Sequence, residues 1–175
     1  MSNQPQPSKA QANLQITLWN KQAEATSDDD LYIRIQKLGF SEEIVSRLHD
    51  LVTKVQDIAG KVIRIGKMVL IKILDFVEEH FFLVAGIGIG AILGAAIFGL
   101  MTSIPFIGPL LAPISKIIGI SLNVAGAIAG HQLDQIIPDV GKNLREIVEA
   151  FFSLFAQILN TVFGTDNQPY AVNAI

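Results

Sequence analysis

Hydrophobic and polar positions follow three different spacings along this chain, and each change of spacing marks a change of element. Residues 1–12 (MSNQPQPSKAQA) are polar and contain proline, a composition that cannot offset the entropy of ordering, so the reading there is a disordered tail. Apolar residues two apart follow, first Leu14, Ile16 and Leu18, then Leu31, Ile33 and Ile35. Period-two spacing predicts short strands in a small N-terminal segment over 13–40, with helix an equal alternative for the second stretch. From Ser41 the period becomes helical. Ser41 is placed to cap, Glu42 and Glu43 suit the positive first turn, and Ile44, Leu48, Leu51, Val55, Ile58, Val62, Ile65 and Val69 continue the stripe. The pattern predicts one long amphipathic helix over 41–80, with Gly60 and Gly66 as hinge points.

The third pattern is the loss of polar positions altogether. Phe81 to Met101 is 21 residues without a charged or amide side chain, about 30 Å of helix and therefore the thickness of a bilayer's hydrocarbon. Pro105, Gly108, Pro109 and Pro113 then interrupt regular helix and predict a turn. A second apolar segment runs from Ile114 to about Leu133. It spans if Lys116 snorkels to one interface while His131, Gln132 and Asp134 sit at the other, and is otherwise re-entrant. Together 81–133 reads as a membrane helical hairpin. Pro138 and Asp139 open a last amphipathic helix over 139–164, with a polar stripe of Lys142, Glu146, Glu149, Ser153, Gln157 and Asn160 and a broad apolar arc rich in Phe. Residues 165–175 read as a tail. The fold class expected is all-α.

Composition sharpens this picture because the charge is unevenly spread. Residues 1–80 carry 10 Lys/Arg and 11 Asp/Glu, whereas 81–131 carry Lys116 alone, in a chain that is 50% apolar with a mean hydropathy of +0.45. A net charge of −3 without a basic cluster argues against nucleic acid as a partner. No cysteine is present, so thiolate catalysis, disulfides and thiolate metal sites are excluded. His49, His80 and His131 lie on separate segments without ligand spacing. Asp28, Asp29 and Asp30 lack a calcium-loop pattern and read as a solvated linker or helix start. No catalytic constellation emerges, so the expectation is a protein that is not an enzyme and uses no cofactor.

Small residues carry the sharpest motif. Gly86, Gly90 and Gly94 recur every four residues and leave one helix face smooth enough for another backbone to approach. Each costs about 1 kcal/mol against Ala in a helix, a loss that close helix packing offsets. Gly119, Gly126 and Gly130 supply comparable small positions on the second segment, so the two can mate within a chain or between chains. Lys61, Arg64, Lys67 and Lys72 read as a basic face toward anionic lipid headgroups. GIGIG at 86–90 lacks the strand, Lys-Ser/Thr and acidic partners of a phosphate loop.

The stretch SIPFIGPLLAPISKIIGI, 103–120, resembles the turn and second membrane segment of the thylakoid-curvature (CURT) proteins, with its IP, LxP and IGI progression. The order of segments is also similar, although this chain has an insertion between Ile104-Pro105 and Ala112-Pro113 and NVAGAIAGHQL lacks aromatics. The resemblance implies a membrane-bending oligomer. Taken together, the sequence predicts a protein of the membrane with the lipid bilayer as partner, self-association through the glycine face, bilayer shaping, and both termini on one, cytoplasmic, side. The alternatives are a pore-forming or holin-like permeabilising protein, whose soluble form hides 81–130 inside its amphipathic helices, and an anchor for a soluble partner.

Overall fold

A computed structural model describes residues 5–58, 60–80, 89–117 and 140–164. The described chain is predominantly helical: α1 Lys9–Ala25, α2 Asp28–Lys37, α3 Glu42–His49, a 3-10 turn Asp50–Thr53, strands β1 Gln56–Ile58 and β2 Lys61–Ile63, α4 Ile65–Glu79, α5 Ile89–Ser103, a 3-10 turn Pro105–Ile107, α6 Gly108–Ile117 and α7 Val140–Phe163. The all-α class read from the sequence is thus observed.

The N-terminal third departs from the strands expected over 13–40, and capping chemistry explains why. Ser8 accepts from the Gln11 amide while Gln11 reaches back to the Ser8 backbone, a reciprocal box that starts α1 inside the stretch read as a tail. Ser27 caps α2 by accepting from the Asp30 amide, and Asp28, Asp29 and Asp30 then occupy its positive first turn. Gly39, at φ +81°, follows the last turn in the left-handed conformation that ends many helices. The two-apart apolar residues do not share a face: Ile16 is buried with Ala12 and Ala23 while Leu14 and Leu18 are exposed, and Leu31 and Ile35 are buried while Ile33 is exposed.

The single helix expected over 41–80 is also corrected. Ser41 caps α3 as read, but the helix stops at His49. Gly60, at φ +79°, turns the chain between β1 and β2, and the Asp57 carboxylate accepts from its amide at 3.0 Å. The antiparallel pair has Gln56, Asp57 and Ile58 opposite Ile63, Val62 and Lys61. Gly66 is no hinge: a side chain there would run into the Leu51 carbonyl, and its amide donates to Lys54 O at 3.0 Å. That contact seats α4 on the 3-10 turn before the hairpin.

Within the expected hairpin, the chain leaves α5 through the 3-10 turn Pro105–Ile107, while Pro109 and Pro113 lie inside α6 rather than in a turn. Pro109 falls in the first turn, where its missing N–H costs nothing, and Pro113 removes one interior bond. Residues 118–139, holding most of the second apolar segment, lie outside the described residues, as does the tail 165–175. α7 occupies Val140–Phe163, against the 139–164 read from the sequence.

Packing centres on α4 and α5. α5 is covered by α4, α7 and α6, α1 bridges α4 and α7, and α2 and α3 close the remaining side against α4 and α6. Phe76, Leu70, Ile73, Leu74, Ile92, Phe152 and Phe163 are among the fully buried side chains.

Candidate functional site

The region that bears on function is α5 and the helices that enclose it. Ile92, Leu93, Ala96, Ile97 and Leu100 have no solvent exposure, and polar atoms appear only at its end, in Thr102 and Ser103. The Thr102 hydroxyl is consumed by its own helix, donating to Phe98 O and Gly99 O. α5 approaches α7 tightly at Gly99, where a Cβ would overlap the Val148 Cγ1 and lie 3.7 Å from the Val148 Cβ. At the far end the Asn160 amide donates to Ser103 O at 2.8 Å, fixing the register of α7 on α5.

Aromatic rings fill the seam between α4 and α7. Phe76 meets Phe151 and Phe152 at 5.2 and 5.3 Å, and His80, whose Nδ1–H donates to Phe76 O at 2.8 Å, stacks on Phe76 and meets Phe151 edge-on. Trp19 of α1 lies 5.1 Å from Phe155 of α7, with the Lys72 ammonium over both rings. One cation thereby joins three helices.

The basic face expected to meet lipid is dispersed. Lys67 is buried and pairs with Asp28 at 2.9 Å, Lys72 covers Trp19, Arg64 precedes α4 with its amide donating to Asn20, and Lys61 stands exposed on β2. A second ion-pair cluster binds α2 to α4: the Arg34 guanidinium donates to Glu78 at 2.9 and 2.8 Å and to Asp75 at 3.0 Å. The Glu78 hydrogen bond raises the Arg34 pKa further, desolvation opposes the rise, and the Asp75 bond adds to it.

Of the packing glycines, Gly94 lies half-buried in α5 and Gly90 in its first turn, whereas Gly86, Gly119, Gly126 and Gly130 lie outside the described residues. Pro105 opens the 3-10 turn and Gly108 opens α6. Gly99, the glycine that meets α7, was not singled out. Its signal was Ala95 four residues earlier, the spacing that brings small residues onto one face. Among the described residues no group of His, Asp and Glu is arranged to hold a metal. One helix among them is long and apolar enough to cross a membrane, α7 over Glu146–Phe163; the first apolar segment falls within the described residues only in part, in α5. Comparison with family models, curated proteins and solved structures finds no match for this chain.

Proposed function

We propose that this chain is a bilayer-inserting helical protein that permeabilises membranes by releasing an apolar segment from a sheath of amphipathic helices. The carrying observation is the enclosure of uncharged α5 by α4, α6 and α7, beside an α7 that itself has the length and apolarity to span. Moving α5 from this core into lipid loses little hydrophobic free energy, because hydrocarbon tails are as apolar as the interior it leaves. What must be given up is packing at Gly99, the Asn160–Ser103 hydrogen bond and the polar ties of α2 to α4. Partners in this reading are the bilayer and further copies of the chain, both termini stay on one side, and no cofactor or catalysis is involved.

A second reading, bilayer shaping by an assembly packed through Gly86, Gly90 and Gly94, is supported by the partial exposure of Gly94, whose face is less covered than that of Gly99. The two are separated by mixing purified chain with anionic vesicles loaded with a self-quenching dye. Permeabilisation requires flotation with the vesicles, resistance to carbonate extraction and dye release. Stable insertion with vesicle tubulation and no release favours shaping, and recovery in the unbound fraction contradicts both.

A further inference from the structure

The polar stripe of α7 is only partly used by the core: Asn160 holds Ser103 O, whereas Glu149 and Ser153 are exposed. At about 100° per residue, Glu149, Ser153, Gln157 and Asn160 fall within an arc of about 80°, and the apolar side chains from Leu154 round to Ala156 fill about 200° of the remainder. In the fold this stripe lines an open cavity of about 560 Å³ together with Gln6 and with Ser103 at the end of α5. Among the described residues the helix that carries it is the one with the length and apolarity to cross a membrane, and the stripe is a line of polar groups along most of that helix. From Glu146 to Asn160 it covers about 22 Å of helix axis. The two ionisable groups of that span, Glu146 and Glu149, are both acidic.

We propose, resting on the permeabilising reading above, that α7 lines the pore, with Glu149, Ser153, Gln157 and Asn160 of several copies facing a water-filled lumen that passes small inorganic cations. The apolar segment 81–115 offers too few polar side chains to wet a channel, and α7 supplies them in register. Its Phe-rich arc, released from α4 and α5, faces lipid. A ring of Glu149 carboxylates near the entrance concentrates cations and repels chloride, as acidic rings do in cation channels.

Planar bilayers under a KCl gradient test this directly. Wild-type currents should reverse at a potential displaced toward that of potassium, Glu149→Gln should move the reversal potential toward zero, and Glu149→Lys should carry it to the chloride side. Because the chain has no cysteine of its own, single replacements report on the lumen. After insertion, Ser153→Cys and Gln157→Cys currents should be blocked by a charged thiol reagent, and Leu154→Cys currents should not. Absence of any wild-type current overturns both this lining and the permeabilising function. Currents with the same reversal potential in wild type and Glu149→Gln, unblocked at 153 and 157, overturn the lining alone.

Discussion

Replacing Gly99 by Ala adds one methyl group where α5 meets Val148 of α7. Two opposing terms decide the outcome. Ala is favoured over Gly within a helix by about 1 kcal/mol. Against this, the new Cβ would overlap the Val148 Cγ1, and Val148 is itself buried at 3% exposure on a helix, where a β-branched side chain has essentially one rotamer to occupy. Overpacking of this kind costs about 1–3 kcal/mol, so Gly99→Ala should destabilise by about 0–2 kcal/mol net. Val148→Ala removes the obstruction and two carbons, costing about 2 kcal/mol by itself at about 0.8 kcal/mol per buried CH₂ plus a cavity contribution. In that background Gly99→Ala should become stabilising. A double-mutant cycle followed by circular dichroism in urea should therefore show a coupling of about 1–3 kcal/mol, the size of the relieved overlap. Gly108→Ala, which has open space around it, should show no coupling to Val148→Ala. Additive effects, with Gly99→Ala more stable than wild type, would refute the packing of α5 on α7.

Three further outcomes follow from the polar contacts. Asp28→Asn should lower the melting temperature by stranding the Lys67 ammonium at 5% exposure, and Lys67→Met with Asp28→Asn should restore it, since Met fills the space of the lysine stem without leaving a buried charge unpaired; thermal unfolding of wild type and the two variants checks the order. Arg34→Gln should destabilise by about 1–2 kcal/mol through loss of charge-assisted bonds to half-exposed carboxylates. Because the folded Arg34 pKa is raised, the arginine's own contribution is full below its unfolded value and is lost only as pH rises through strongly alkaline values. Wild type and Arg34→Gln should accordingly differ by a constant amount in urea titrations between neutral and mildly alkaline pH. Ser8→Ala removes the reciprocal cap of α1 and should cost about 1 kcal/mol, seen as faster amide exchange in the first turn of α1.

The helical class and the position of α7 were legible because Ser41 and the arc of Val148, Phe152, Phe155, Leu159 and Phe163 state them locally. α1 was misread because its buried face is Ala12, Ile16 and Ala23, with Trp19 packed beside them, a 4-3-4 spacing visible only when small alanines are counted as core. The break after His49 was hidden because Leu51, Val55, Ile58, Val62 and Ile65 keep helical spacing through a turn and two three-residue strands, with Gly60 the local signal against it. The lysines were the hardest part. Lys67 and Lys72 lie on the face a headgroup reading would use, and what turns them inward is a carboxylate about forty residues away in one case and an aromatic pair from two other helices in the other. No local pattern encodes such partners.

The proposed release of α5 requires that it part from α7, and the fold supplies a way to prevent that reversibly. A Cβ at residue 99 stands 3.7 Å from the Val148 Cβ, within the roughly 3.5–4.5 Å that a disulfide spans. The double variant Gly99→Cys with Val148→Cys, in a chain with no competing thiol, should therefore oxidise to a cross-link that holds α5 against α7. Dye release from anionic vesicles, measured on the same sample before and after reduction, is the decisive experiment. The oxidised protein should be folded and inert, and reduction should restore release to the level of the reduced control; equal release from the oxidised, cross-linked protein would contradict the account, because membrane activity would then proceed without opening the sheath.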